Sequence, residues 1–316
     1  MTPVDSILSA IGSMVALALI TALGYVAARF RYITEDSRAG LSKLILNITL
    51  PCMIVSSVAG VGDSMTTSDL VAMLGLGATF YFVMLLAGAI CNVVLRVPKS
   101  QRRVYLFMST FTNTGFIGFA VLSSIFGSQT IFLGSIVIAV FNLFFYSMGI
   151  ALLNSGGTGE KATVKSVLKS TLNMPLAASV AAITLFLTGL QLPAFLQTTV
   201  SMVGGITAPL AMMLVGLSLA SSNIREMLRD WRLYAFSFLR FLALPLIAFL
   251  VLRSFVANTA IIDVYVVLLA MPVASMAPAL ASAYGHDDRL PTRGTVITTI
   301  CSFATVPVLV ALMGIV

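Results

Sequence analysis

Apolar residues run along this chain in blocks of about twenty, separated by brief polar stretches. A bilayer core about 30 Å thick takes roughly 20 apolar residues in a helix rising about 1.5 Å per residue. Ten blocks meet that length: 7–28, 40–59, 70–95, 104–126, 130–153, 171–190, 195–220, 232–253, 262–284 and 293–315. The pattern predicts an all-α membrane protein with ten transmembrane helices. The loops are short, so no soluble domain is expected between them. Residues 1–6 lack a basic segment, and the first block is long enough to span. It is therefore expected to be a retained helix and not a cleaved signal.

Composition sharpens this picture. The chain is 59% hydrophobic and 9% charged, against about 45–50% and about 25% in soluble domains. Cys52, Cys91 and Cys301 all lie in apolar blocks without disulfide or metal spacing, and read as small buried side chains. No cofactor motif is present.

The cations set an orientation. Arg29, Arg31, Arg38 and Lys43 flank the first loop, and Arg96, Lys99, Arg102 and Arg103 the third. Lys161, Lys165 and Lys169 lie in the fifth, Arg225, Arg229 and Arg232 in the seventh, and Arg289 and Arg293 in the ninth. Of the even-numbered loops, only one carries a cation, Arg253. Basic loops face the cytoplasm, so both termini are expected on the opposite side of the cell membrane. The net charge of +7 thus reads as topology and contact with anionic lipid, with no nucleic-acid partner.

The two halves repeat one another. "NITLPCMI" (47–54) aligns with "GITAPLAMM" (205–213), which puts Pro51 on Pro209 at an offset of 158 residues. The same offset places Phe126-Gly127 on Tyr284-Gly285, and Gly134 pairs with Gly294 after a slip of two. Each half contributes five spans, and an odd number forces the second half into the membrane from the opposite side. The halves are 1–154 and 171–316, joined by a linker at 155–170. Inverted repeats of this kind are a recurring plan of secondary transporters.

Corresponding spans in the two halves are interrupted. Span four holds "FTNTGFIGFAVLSSIFG", with Thr112, Asn113, Thr114 and Gly115 near its middle. Span nine holds "AMPVASMAPALASAYG", with Pro272, Ser275 and Pro278. Proline removes an amide donor and clashes with the preceding turn, while Asn, Thr and Gly weaken a helix through side-chain competition and a loose backbone. Broken helices at membrane depth are tolerated where they line a cavity, and a symmetric pair points to a midplane binding site. Half-helix N-termini there would favour an anion such as a carboxylate, and Asn113 adds a donor and an acceptor. Pro51 and Pro209, with Asn47 one turn before Pro51, either line the path or bend their helices. The residues leave both readings open.

These stretches resemble the auxin efflux carrier family, which includes plant PIN carriers and bacterial permeases for small organic acids. "SKLILNITLPCMIV" is similar to the family's second span and "APLAMMLVGLSLA" to its seventh. "TNTGFIGFAVLSSIFG" and "AMPVASMAPALASAYG" resemble its two crossovers, and "ATVPVLVAL" the end of its tenth span at Pro307. The resemblance implies crossed, broken helices four and nine in a transport domain of spans 3–5 and 8–10. Spans 1, 2, 6 and 7 would form a scaffold, usually dimeric, past which that domain moves as an elevator. It also implies that Asn113, Thr114, Pro272 and their neighbours contact a substrate carboxylate. Two family prolines are missing, where this chain has Thr112 and Ala120, so span four is expected to break through softer residues. The short central loop fits the bacterial permeases.

Few charges lie within the spans. Arg240 is roughly 12 Å into span eight. It suits an anionic substrate, or it is structural and binds helix-end carbonyls or snorkels to the cytoplasm. Acidic residues fall in loops or at helix ends, Asp63, Asp69 and Asp263 among them, which argues against cation–proton exchange. His286 reads as a solvated loop residue closing span nine. No catalytic cluster and no phosphate-binding loop is present, which disfavours an enzyme or an ATP-driven pump. The expected function is secondary transport of small organic anions. A sodium-coupled symporter, or a membrane sensor of the same fold, would carry the same features.

Overall fold

The computed structural model describes residues 3–61, 65–153, 173–221 and 230–315. The predicted linker, Asp63 and the cations Arg225 and Arg229 lie outside these residues. The described chain is helical, with one isolated antiparallel bridge and no strand. Among the described residues six helices are long and apolar enough to cross a membrane: α1 (Pro3–Arg29), α2 (Ser37–Gly60), α3 (Thr67–Val94), α8 (Ala194–Ala220), α9 (Trp231–Leu252) and α12 (Arg289–Ile315). Between them lie shorter pieces: α4 (Arg102–Thr110), α5 (Thr114–Phe126), α6 (Thr130–Phe144), α7 (Met174–Thr188), α10 (Thr259–Leu269) and α11 (Ala277–Ala283). The blocks at 104–126 and 262–284 are therefore each two helices with a non-helical join.

Polar residues start these helices as their chemistry requires. Thr66 and Asp69 exchange side-chain and backbone bonds to cap α3, and Asn173 accepts from the Leu176 amide to cap α7. The prolines show how bends are absorbed. Pro51 follows a π-helical turn at Ile45–Thr49, and Pro245 follows another at Leu239–Ala243. In each case the carbonyl four residues back, which a proline ring would strike, lies inside the widened turn. Pro209 sits just past a break in α8 at Ile206. His286 departs from the expected solvated residue. It is half-buried, and its Nε2 lies 2.7 Å from the Leu153 carbonyl oxygen, tying the end of span nine to that of span five.

Two close contacts hold the bundle together. A Cβ on Gly216 of α8 would overlap the Thr21 carbonyl of α1, so only glycine permits this backbone approach. Arg240 is fully buried at 0% exposure. Its Nε and Nη2 donate to the Ser109 carbonyl at 3.0 and 2.8 Å, and Nε also reaches Ser109 Oγ at 2.9 Å. Nη1 donates to the Leu269 carbonyl at 2.9 Å, and Nη2 also meets Met84 Sδ. Ser109 and Leu269 lie in the last turns of α4 and α10, where helix carbonyls have no partner of their own. One guanidinium thus satisfies the ends of both interrupted helices and opposes their negative poles. Of the two roles open to Arg240 from sequence, its contacts are those of the structural one.

Two outcomes follow from this packing. Arg240→Met should lower the melting temperature of the purified protein by several degrees or more, because buried carbonyls that lose their donor cost about 1–3 kcal/mol each. An unchanged melting curve would show that those ends are satisfied by other means. Gly216→Leu should sharply reduce the monodisperse fraction on fluorescence-detected size-exclusion chromatography. A normal elution profile would rule out the tight α1–α8 contact.

Candidate functional site

The two joins meet. Thr112 to Phe119 contains Asn113, two threonines and two glycines, and residues 111–113 leave the helix. Pro272 cannot donate to a helix turn, and residues 271–274 are likewise non-helical. These unwound segments run antiparallel, with Thr112 opposite Val273. The Asn113 amide donates to the Pro272 carbonyl at 2.7 Å, and the Ala274 amide donates to the Phe111 carbonyl at 3.1 Å. Each strand-like stretch therefore lends one donor and one acceptor to the other. Threonines of α12 supply more: Thr298 Oγ1 accepts from the Val273 amide at 3.1 Å, and Thr295 Oγ1 donates to the Ala274 carbonyl at 3.4 Å.

Asn113 is the centre of this arrangement and only 3% exposed. Its Oδ1 accepts from the Phe116 amide at 3.3 Å, capping α5, and its Nδ2 donates to Ser275 Oγ at 2.7 Å across the crossing. One Nδ2 hydrogen and one Oδ1 lone pair remain beyond these bonds. Gly118 lets the second segment come close, since a Cβ there would lie 2.9 Å from Leu268 Cδ2. Pro278 lies in the first turn of α11, where a missing amide is harmless. It starts a helix and does not break one.

A cavity of about 260 Å³ abuts the crossing. Its polar lining comes from Thr112, Asn113, Thr114 and Ser275 of the crossing, from Ser42, Lys43 and Asn47 of α2, and from Asn173 at the start of α7. Phe116, Phe141 and Phe145 make much of the rest apolar. This mix of an apolar body with a few fixed polar groups suits a small organic molecule. A second cavity of about 550 Å³ shares Ser42, Phe116, Ser275 and Met276 with the first. It extends to Arg38, Ser221 and Thr292, which stand at the ends of α2, α8 and α12.

The residues singled out in the sequence separate here. Thr112, Asn113, Thr114, Gly115, Ser275 and Asn47 all line the smaller cavity, and Pro278 lines the larger. Pro272 is buried in the crossing backbone. Pro51 is buried, Pro209 is exposed, and neither lines the crossover cavity. Both belong with the bends of α2 and α8. Arg240 lies outside the cavity lining as well. Sequence reading passed over Lys43, Phe116, Thr295 and Thr298. Lys43 counted only as a loop cation, although it stands one turn before Asn47 on the same helix. The threonines of "GTVITTIC" recur at helical spacing, a signal that one polar stripe faces a partner.

The chain matches the family model described as membrane transport protein over residues 9–310. It is 26% identical over 306 residues to the uncharacterized transporter YfdV of Escherichia coli strain K12, covering 94% of this chain and 95% of that one. It is also 24% identical over 316 residues to the uncharacterized transporter MJ1031 of Methanocaldococcus jannaschii, covering 97% of each. A bundle of apolar helices with two crossed interruptions, matched from end to end by transporters, is a multi-pass membrane transporter and not an enzyme. In agreement with the resemblance of its crossover motifs to the auxin efflux carriers, the chain belongs to the membrane transport protein family.

Proposed function

We propose that the protein is a secondary carrier of small organic anions, carboxylates foremost, in the cell membrane. The observation that carries this reading is Asn113, buried at the crossing yet lining a cavity. An Asn amide beside the first turn of α5 offers neutral donors to a carboxylate. Neutral donors hold an anion without a fixed counter-charge, which keeps release easy.

The topology follows from the same features. Taking α4 with α5 and α10 with α11 as interrupted spans gives ten crossings in two halves of five. The reciprocal bonds support an inverted relation between the halves: exchanging residue 111 with 272 and residue 113 with 274 converts one bond into the other. The cavity lies between the crossing and helices α2 and α7. That is the boundary expected if α1, α2, α7 and α8 form a scaffold, which a second copy would extend to a dimer, and the other helices move past it as an elevator. The larger cavity runs to helix ends that join basic loops, which under the positive-inside rule supports a cytoplasm-facing state with both termini outside.

The test is flux. In proteoliposomes, labelled malate, malonate and an aromatic acid are offered under imposed sodium, proton and voltage gradients. At least one should accumulate or exit in the reconstituted protein above empty vesicles. Asn113→Ala should cut that flux at least about tenfold, the loss of one charge-assisted hydrogen bond, with an unchanged elution profile. Undiminished flux in Asn113→Ala would remove the crossing as the site.

A further inference from the structure

Lys43 stands where nothing in the proposed mechanism yet uses it. Among the described residues it is the one charged side chain lining the crossover cavity. Its ammonium makes no hydrogen bond or ion pair with any described residue. It occupies the last helical turn of α2 before the π-helical turn at Ile45–Thr49. Asn47 and Leu50 line the same cavity, so the cavity follows one face of α2 from Lys43 to Leu50, about 10 Å of rise. The crossing lines the same cavity with Asn113 and Ser275, bonded to each other and electrically neutral. Phe116 and Phe141 furnish apolar surface in the same space.

We propose that Lys43 is a specificity-determining residue that binds a second negative group on the substrate, so that the preferred cargo is a short organic dianion. This rests on the carrier reading above and deepens it. The neutral donors of the crossing accept a monoanion and a dianion alike. A cation on the α2 side of the cavity tells them apart, because only the dianion offers one charge to the crossing and a second to the ammonium while its hydrocarbon link rests on the phenylalanines. An unpaired ammonium on a cavity wall gains from such a partner without breaking an existing ion pair. Because α2 belongs to the proposed scaffold and Asn113 to the moving part, the two-point grip exists at one end of the stroke only.

The experiment reads ligand-induced shifts in the melting temperature of the purified protein, from which apparent affinities follow. The probes are malonate, succinate and glutarate, each beside its own monoamide, which has the same size and one charge less. The wild type should bind at least one dianion better than its monoamide. Lys43→Gln should erase that preference by weakening the dianion about tenfold while leaving the monoamide unchanged, and Lys43→Arg should retain it. The preference in the wild type should also shrink as salt is raised. Equal binding of every pair by the wild type overturns the proposal. So does a preference that survives in Lys43→Gln, which would make Lys43 a cation for lipid headgroups. Asn113→Ala separates the two readings. It should weaken dianion and monoamide together, and if it weakens neither while Lys43→Gln acts, the crossing reading fails and the Lys43 assignment stands.

Discussion

An unpaired backbone amide or carbonyl in hydrocarbon costs several kcal/mol, and no water is at hand to relieve it. That constraint governs this protein, because two of its spans give up their helical bonds in the middle of the bundle. Neither interruption is tolerable alone. Each is made tolerable by the other: Asn113 and Ala274 donate across the crossing to Pro272 and Phe111. Further groups are met from neighbouring helices. Thr298 answers the Val273 amide, and Arg240 gathers the carbonyl ends of α4 and α10. The broken spans are thus a single polar unit enclosed by an apolar bundle.

The proposed function draws on the surplus of that unit. Asn113 serves the fold with one oxygen and one hydrogen, through Phe116 and Ser275. The same residue lines a cavity that α2 also lines. Groups fixed by structural bonds are already oriented when a ligand arrives, so little order has to be gained on binding. The division of labour is clear in the charges. The buried cation, Arg240, is fully engaged by carbonyls, whereas Lys43, exposed on the cavity wall, is free among the described residues.

The bends show the same economy. A π-helical turn precedes Pro51 and another precedes Pro245, while α8 breaks just before Pro209. Each removes the carbonyl that the ring would strike. The proline of the first motif is buried and that of the second faces outward, so the matching pair shapes its helices and lies apart from the crossover cavity.

Much of this was legible along the chain, and the reason is the solvent. Hydrocarbon demands long apolar blocks, so helical class and membrane residence follow from composition and period alone. Asn113, Pro272 and Ser275 stood out because polar and helix-breaking residues are rare in such blocks. That the two interruptions would meet was expected from their matching places in the two halves, whereas the sequence left open whether Asn47 lines the cavity beside them. What the linear order could not contain is which polar atoms meet. Arg240 was equally compatible with an anion or with helix ends until Ser109 and Leu269 were seen around it. Lys43 looked like any loop cation until the fold turned its helix face toward the crossing. The sequence by itself determined that this chain must lie in a membrane as helices with two weak points, because burial of apolar surface depends on residue type. Only the tertiary structure decided which groups those weak points share, because hydrogen bonds depend on distance and direction between residues far apart in the chain.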